Sequence, residues 1–491
     1  MKPESGVGSW TPQPPTPEAP QRDDRLSGRR RAQDSIDPDI RSEYERDVDR
    51  IYYNYYFRRL AEITQVSSVH DKILRHNRMT HSLKVAQVGR RLVQYLEHDA
   101  RHADGIDAAR GIDRNVVTAA GLLHDVGHPP FGHIGEYQLN QWARSHGLED
   151  GYEGNAQTLR VILSLTAHQR GREELLSGLD LTRAVVAACV KYPWSCKEAE
   201  RLQINKWGYY KPEAAIFDRF VAPLLPEPGV GTLEAKIMDW ADDITYAVHD
   251  LQDFYTDGVI PLHHLRHNKN GADYVPVHHG EFADFWQYAT EKLRKNIGSP
   301  SIEARRVFSR YASRFPDGQY RGQREEDAKI GALASQIITD ASKATTISDN
   351  GHLHVKENMR AVINVLKQVT WYYVIDHPDL VSTQIGQRAR VHEMCHRLYK
   401  RVEFCFKQHE NSGQRLTVDE QTMLQRRLPV QLREFTKQLL AANNGGGAYE
   451  DRKHCYARAV IDYIASMTEV EFDRLSQRMC PNSSYEEWIV G

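Results

Sequence analysis

The sequence predicts a mainly α fold. Apolar residues recur at three- and four-residue spacing from Val85 to Leu96 and again from Ile237 to Leu251, which is the period of an amphipathic helix. The stretch from Val116 to Leu123 is apolar nearly all round, which predicts a central helix buried on every side. Since no series of alternating apolar and polar segments accompanies these stretches, no extended sheet is expected.

The chain divides into three predicted regions. Residues 1–38 combine five prolines between Pro12 and Pro20 with a run of three arginines at 29–31, which predicts a disordered tail or, alternatively, an arm that binds nucleic acid or a partner. Residues 39–262 are predicted to form the helical core, and residues 263–491 a helical region that packs on it. Later helices are expected at 359–375, 391–408, 418–440 and 457–475, and the polar stretch 263–275 is expected to be exposed.

Composition and charge exclude several classes of protein. The 64 basic and 66 acidic residues leave a net charge of −2, so affinity for phosphate has to come from a local cluster of cations. None of the six cysteines lies in a C-x-x-C pair, which disfavours a cysteine-based zinc site and fits a reducing compartment. No apolar run is long enough to cross a membrane and no secretory signal opens the chain, so a soluble, cytoplasmic protein is expected.

A histidine and an aspartate stand at the end of the predicted central helix. Burying His124 and Asp125 is costly unless a partner neutralises them, and a divalent metal ion does this well. Adjacent residues point about 100° apart on a helix, so the pair can close around one ion only where a helix ends. The sequence from Gly127 to Pro130 predicts such an end, because its prolines cannot continue the helix.

Two flanking segments supply further groups of the same chemistry. Arg78 and His81 lie at the start of the upstream amphipathic helix. Downstream, polar residues at 239, 242, 246, 250 and 253 are three or four apart and therefore share one helix face, opposite an apolar stripe. A row of carboxylates repels itself unless it meets a cation or a polar ligand. Imidazole with carboxylate suits manganese, iron, nickel, zinc or magnesium, and residue type does not choose among them.

The four residues His81, His124, Asp125 and Asp242 resemble the H…HD…D signature of HD-superfamily phosphohydrolases. The surrounding text is similar to one branch, the deoxyguanosine triphosphate triphosphohydrolases and related deoxynucleotide triphosphohydrolases. Matching segments occur in family order and span about four-fifths of the chain: FRRLAEITQV (57–66), RMTHSLKVA (78–86), GLLHDVGHPPFGHIGE (121–136), YEGNAQTLR (152–160), KYPW (191–194), KWGYYKPE (206–213), MDWADDITYAVHD (238–250) and YIASMTE (463–469). One departure is Tyr152, because some relatives carry a histidine there.

The resemblance implies an HD helical fold with additional C-terminal helices, and a role for each matching residue. Its metal ligands would be His81, His124, Asp125 and Asp242. His133 and Glu136 resemble a catalytic histidine and its carboxylate partner. The substrate-binding positions are Gln65 and Asp250 for the sugar 3′-hydroxyl, and Arg78, Asn155, Lys191, Lys206 and Tyr246 for the triphosphate.

The implied activity is hydrolysis of dGTP or several dNTPs to deoxynucleoside and inorganic triphosphate. It would use one divalent metal per site, manganese or magnesium first, with iron, nickel or zinc as alternatives. The resemblance also implies a homo-oligomer, and a single-stranded nucleic acid is a further candidate as a modulator.

Simpler interpretations stand beside these. The His124–Asp125 pair can be an ordinary buried hydrogen-bonded pair, His133 a surface histidine paired with Glu136, and Lys191 or Lys206 a solvated lysine. The alternative functions are an HD phosphodiesterase acting on a cyclic or alarmone nucleotide, and a non-catalytic sensor of nucleotides or nucleic acid.

Overall fold

The computed structural model describes residues 40–65, 77–170, 174–294, 300–376, 378–411, 422–423, 425–444, 449 and 451–479. The predicted mainly α fold is confirmed, because helices make up most of this part of the chain. The predicted disordered tail lies outside the described residues. In the part that the structure describes, no helix is both long enough and apolar enough to cross a bilayer.

The α-helices follow one another with short connections. They are α1 (Glu43–Tyr53), α2 (Tyr55–Arg58), α3 (Arg78–His98), α4 (Ala103–Ala108), α5 (Arg114–Leu123), α6 (Gly132–Ser145), α7 (Gly154–Arg160), α8 (Arg183–Ala188), α9 (Cys196–Arg201), α10 (Ala214–Phe220), α11 (Leu233–Thr245), α12 (Leu251–Thr256), α13 (His279–Arg294), α14 (Ile302–Ala312), α15 (Arg324–Lys343), α16 (Glu357–Thr370), α17 (Pro378–Asn411), α18 (Val430–Asn444), α19 (Arg452–Ala465) and α20 (Glu469–Met479).

Shorter elements connect these helices. The 3₁₀ turns are Arg59–Glu62, Ala100–His102, Lys211–Glu213, Ala222–Leu224 and Leu262–Leu265, and the π-helical turns are Val161–Leu165, Tyr246–Asp250 and Trp371–Ile375. Three antiparallel hairpins pair β1 (Ala167–Arg170) with β2 (Glu174–Ser177), β3 (His267–Asn270) with β4 (Asp273–Pro276), and β5 (Thr345–Ile347) with β6 (Leu353–Val355).

Helix α5 is the central helix that the sequence predicts, and every residue from Val116 to Leu123 is buried. It packs closely against α3 at two glycines, Gly121 and Gly89. A Cβ added to Gly121 would lie 2.8 Å from the Cα of Ala86, and one added to Gly89 would lie 2.7 Å from Cγ1 of Val117. The two helices therefore approach backbone to backbone, which brings the first turn of α3 beside the end of α5.

Two large hydrophobic cores and one small cluster around Trp207 and Tyr210 hold the helices of the described residues. The larger core joins buried side chains from Tyr44 to Val374 and includes α3, α5 and α11. The smaller core joins residues between Phe131 and Tyr152 to residues between Val391 and Phe472, so α6 belongs to the same core as the C-terminal helices. The division of the chain at residue 262 stays a prediction.

A buried ionic cluster ties the C-terminal helices to the first half of the chain. On α7, Arg160 donates from Nε and Nη2 to the carboxylate of Asp462 on α19, with Nη2–Oδ2 at 2.7 Å. Its Nη1 lies 2.6 Å from Oε1 of Glu213, and all three side chains are buried. Removing one member of such a cluster leaves an uncompensated buried charge, so the contact holds α19 firmly on α7.

Three local predictions are wrong. The helix expected at 457–475 is two helices, because the hydroxyl of Thr468 accepts from the backbone N–H of Glu471 and caps a new helix. The helix expected at 418–440 is interrupted, because a turn at 426–428 and Pro429 precede α18, which begins at Val430. The stretch 263–275 contains a hairpin and is not wholly exposed, since tertiary packing buries His267 with its ring 4.6 Å from that of Phe282.

Replacing Gly121 with Ala should lower the free energy of unfolding by about 1–3 kcal/mol, because the added methyl group collides with the backbone of α3. Gly331 on α15 is a matched control, since a Cβ there meets no atom within 4 Å. Gly331→Ala should raise stability by about 1 kcal/mol through helix propensity. Urea denaturation of both variants measures the difference, and equal stabilities would contradict the close crossing.

Candidate metal centre

Three helix ends converge on one buried point. Helix α3 begins after Asn77, whose side chain accepts from Thr80 N at 2.9 Å and caps it, so His81 lies in the first turn. His124 is the C-cap residue directly after α5, and Asp242 lies near the end of α11. His81 Nε2 is 3.0 Å from Asp242 Oδ1, although 161 positions separate the two residues in sequence.

The turn after α5 is held in place by the next helix. A Cβ at Gly127 would lie 2.2 Å from Gly154 O and 2.3 Å from Thr158 N, so only glycine fits there. Gly127 N donates to Thr158 Oγ1 at 3.0 Å, and the hydroxyl of Tyr152 donates to Gly127 O at 2.6 Å. Tyr152, which departs from some relatives, is therefore a buried support of this turn.

The geometry of His124 fits a metal ligand. Its Nδ1 lies 2.8 Å from Gly121 O and must carry the proton to bond to that carbonyl, so the neutral ring has its free lone pair on Nε2. Nε2 is buried and has no hydrogen-bond partner among the described residues. It lies 3.5 Å from Asp125 Oδ1 and 3.7 Å from Asp242 Oδ1. A lone pair facing two carboxylates is unfavourable unless a cation lies between them.

The sequence-predicted ligands form one cluster. One ligand atom from each of His81, His124 and Asp125 lies within 4.8 Å of the others, and Asp242 contacts the two histidines. Two imidazoles and two carboxylates could hold a divalent ion of the first transition series or magnesium. Their function as ligands stays a prediction.

Two cations keep the carboxylates of this cluster ionised. Burial opposes ionisation of Asp125, but Arg78, with Nη1 2.7 Å from Oδ2, and the neighbouring histidines bring its pKa well below its ordinary value. Burial likewise opposes ionisation of Asp242, and Lys191, with Nζ 3.1 Å from Oδ2, outweighs it, so the pKa of Asp242 is also well below its usual range. Both groups are therefore in the form that binds metal.

A second cluster lies next to the first. His133 Nδ1 is 2.9 Å from Glu136 Oε2, one turn along α6, and two-thirds (67%) of the His133 side chain is exposed. Lys206 Nζ lies 3.1 Å from Glu136 Oε1 and 3.1 Å from Glu153 Oε1. Burial opposes ionisation of Glu136, but His133 and Lys206 lower its pKa well below the ordinary value.

His128, His133 and Glu136 are also close enough to hold an ion. In this structure the ammonium group of Lys206 lies beside Glu136 and Glu153 and offsets part of their negative charge. The arrangement suits proton transfer, because Glu136 orients an imidazole ring that is itself mostly exposed.

The predicted substrate-binding residues surround the two clusters. Arg78 Nη2, Gln65 Oε1 and Asp250 Oδ2 are buried without a hydrogen-bond partner in the described part of the chain. Burial, and then the carboxylate of Asp253, raises the pKa of Asp250 well above its usual range. These three atoms are therefore free to form hydrogen bonds with a ligand.

The other predicted contacts are paired within the protein. Lys191 also lies 2.6 Å from Asp239 Oδ1. Asn155 Nδ2 donates to Glu153 Oε1 at 2.7 Å, and the ring of Tyr246 lies 5.5 Å from the ammonium nitrogen of Lys367. Tyr246 and Asp250 lie in the π-helical turn, so the single helix face expected for 239–253 changes register between these residues.

Two further residues, His128 and Glu153, border the clusters. The ring of His128 is buried, its Nδ1 lies 3.1 Å from Asp125 Oδ1, and its centroid is 5.5 Å from that of His133. Burial and Arg78 lower the pKa of His128 to about 4. Glu153 caps α7 by accepting from the backbone of Asn155 and Ala156. No N-cap signal marks this position in the sequence, because glutamate is not a preferred N-cap residue.

Comparison of the sequence with known proteins identifies the family of this chain. The HD domain family model matches residues 78–247. A deoxyguanosinetriphosphate triphosphohydrolase-like protein of Corynebacterium glutamicum is 32% identical over 72% of this chain and 79% of its own length, and one of Streptomyces coelicolor is 33% identical over 74% and 82%. This chain belongs to the deoxyguanosinetriphosphate triphosphohydrolase-like family. A further triphosphohydrolase-like protein, of Corynebacterium efficiens, is 29% identical over 89% of this chain and 91% of its own length.

The matched HD segment covers both clusters but not all of the predicted substrate-binding residues. The matched HD segment contains all four candidate ligands, the His133–Glu136 pair and both lysines. Gln65 and Asp250 lie outside the segment, although the longer alignments to the family cover most of the chain. The family model therefore covers the four candidate ligands but not the two residues predicted to bind the sugar.

Replacing Asp242 with Ala should abolish binding of Mn²⁺ while leaving helical circular dichroism unchanged, because the carboxylate faces both histidines and its loss removes a ligand. Asp243→Ala is a matched control, since Asp243 is adjacent in sequence but pairs with Lys367 at 2.6 Å. Isothermal titration with Mn²⁺ compares the two. Equal affinity in D242A and D243A would contradict the ligand set.

Proposed function

We propose that this protein is a metal-dependent hydrolase of deoxynucleoside triphosphates, dGTP or several of them, that releases a deoxynucleoside and inorganic triphosphate. One observation carries the proposal: the buried, unpartnered Nε2 of His124 faces Asp125 and Asp242 beside the His133–Glu136 pair. The family of the chain supports the choice of substrate, because its relatives are named for deoxyguanosine triphosphate.

His81, His124, Asp125 and Asp242 would hold one divalent ion, with manganese or magnesium expected first and iron, nickel or zinc as alternatives. When bound, the ion would supply Lewis-acid polarisation of the phosphate and activation of water. Binding of the ion requires ionised carboxylates, and the lowered pKa values of Asp125 and Asp242 favour the ionised form of both groups.

Cationic side chains would orient the triphosphate. The free Nη2 of Arg78 is buried beside the metal cluster and can donate to a phosphate oxygen. Lys191 pairs with Asp242 in this structure and would be released toward phosphate once that carboxylate coordinates an ion. Lys206, Asn155 and Tyr246 complete the proposed contacts with the polyphosphate.

His133 would transfer the proton in the bond-breaking step. The oxygen of water forms a bond to the α-phosphorus, the bond from that phosphorus to O5′ breaks, and His133 gives its Nε2 proton to O5′. The proton lost by water passes to solvent, from which His133 is protonated again. Glu136 stabilises the protonated ring through Nδ1, at 2.9 Å.

Gln65 and Asp250 would bind the 3′-hydroxyl of the sugar. The unpartnered Oε1 of Gln65 can accept from that hydroxyl. The unpartnered Oδ2 of Asp250 can accept from the same hydroxyl, and burial raises the pKa of this carboxyl group, which favours its protonated form. Assembly into a homo-oligomer and modulation by a single-stranded nucleic acid stay predictions from the family.

Incubation with each dNTP and Mn²⁺ or Mg²⁺ should yield deoxynucleoside and inorganic triphosphate in equal amounts, resolved by ion-exchange chromatography. Pyrophosphate or phosphate as the first product would contradict attack at the α-phosphorus. Turnover of cyclic or alarmone nucleotides alone would favour a phosphodiesterase, and binding of dNTP without any turnover would favour a sensor.

His133→Ala should lower kcat by a factor on the order of 10² to 10⁴, because the leaving oxygen loses its proton donor. The affinity of the site for Mn²⁺ should be unchanged, since His133 is not one of the four candidate ligands. Gln141→Ala, on an exposed position of the same helix, is the control and should keep wild-type turnover. A fully active His133→Ala variant would exclude the proton-transfer function.

A further inference from the structure

The turn between α19 and α20 contacts the site from the C-terminal helices. Glu469, the first residue of α20, accepts three hydrogen bonds from two distant segments. Its Oε1 accepts from the backbone N–H of Thr64 at 2.9 Å and of Phe131 at 3.1 Å. Its Oε2 accepts from the hydroxyl of Thr64 at 2.8 Å.

The first of these segments contains Gln65, one of the residues proposed to bind the sugar. Thr64 precedes Gln65 and forms a β-bridge with Asn77, and Arg78 N donates to Ile63 O at 3.0 Å. The carbonyl of Thr64 and Nη2 of Arg78 lie on the same side, since a Cβ at Gly132 would be 3.5 Å from one and 3.0 Å from the other. A shift of Thr64 would therefore move both Gln65 and Arg78.

The second segment begins the helix that carries His133. Phe131 has a left-handed backbone, with φ +66°, which is strained for a residue with a side chain. It is the N-cap residue of α6, yet its side chain cannot cap the helix. The carboxylate of Glu469 binds the N–H of Phe131 at this end, where negative charge also favours the helix dipole.

A neighbouring contact supports the same turn. The buried guanidinium of Arg59 donates to Met467 O at 3.0 Å and to Val126 O at 2.9 Å, and so connects the α19–α20 turn to the loop after Asp125. The C-terminal turn is thus bonded to three segments that border the site.

We propose that Glu469, on the C-terminal helix α20, is a positioning residue. It holds the Thr64–Gln65 segment and the start of the His133 helix in place relative to each other. The proposal rests on the proposed function for its kinetic consequence only, because the contacts themselves are independent of the reaction. Glu469 touches neither substrate nor metal and acts through Thr64 and Phe131.

Three variants test this inference in the full-length protein. Glu469→Ala should lower kcat/KM for the preferred dNTP on the order of tenfold to hundredfold, because small displacements of catalytic groups are costly in rate. Glu469→Gln should stay within about threefold of wild type, since its amide oxygen can accept from both N–H groups and its NH₂ can donate to Thr64 Oγ1. Glu471→Ala is the control, because it removes only the hydrogen bonds that Glu471 Oε2 accepts from Thr468 N and from the Tyr55 hydroxyl, without touching Thr64 or Phe131.

Hydrogen–deuterium exchange gives a readout that needs no activity. Glu469→Ala should raise exchange in peptides covering 57–65 and 126–136, whereas Glu471→Ala should raise it in 469–479 only. If Glu469→Ala does not fold, Thr64→Val provides the test, since it deletes the hydroxyl bond alone and should give a several-fold smaller loss of kcat/KM in the same direction.

The outcomes separate this inference from the proposed function. If wild type hydrolyses no dNTP, the proposed function fails and exchange alone decides whether Glu469 positions the two segments. Unchanged exchange in Glu469→Ala, or in Thr64→Val where Glu469→Ala does not fold, would overturn the inference. So would a loss in Glu471→Ala that equals the loss in Glu469→Ala, or a failure of Glu469→Gln to restore kcat/KM.

Discussion

Close packing of α3 against α5 is the constraint on which the site depends. Glycine at 121 lets the two backbones touch at Ala86, and this contact sets the first turn of α3 beside the end of α5. His81 then reaches Asp242 on α11, and both lie next to the His124–Asp125 pair. Two carboxylates and two imidazoles are thus buried together, which is stable only with compensating positive charge.

In this structure two basic side chains provide that compensation. Arg78 pairs with Asp125 and Lys191 with Asp242, so the cluster is neutralised from within. The same two cations are the ones expected to bind the triphosphate. An ion bound to the carboxylates would substitute for the cations, and the cations would turn to the phosphate oxygens. Arg78 and Lys191 would therefore offset the charge of the carboxylates before the ligands bind and the charge of the triphosphate afterwards.

The C-terminal helices complete the site although they lie outside the matched HD segment. Helix α6 is buried in the same core as α17 and α19, so the position of His133 depends on residues several hundred positions away. The buried Arg160–Asp462 pair and the α19–α20 turn add polar contacts to this packing. The C-terminal region and the candidate site are therefore joined by direct polar contacts as well as by packing.

The sequence by itself determined the helical class, the buried central helix and the candidate ligands. The helical period and the apolar run specify local structure, and the His-Asp pair before two prolines indicates a polar site at the end of a helix. Only the tertiary structure decided that Lys191 and Lys206 pair with carboxylates, that Tyr152 supports the Gly127 turn, and that Glu469 reaches Thr64 and Phe131. These contacts join residues far apart in the chain, and no local spacing records which distant side chain a buried polar group will meet.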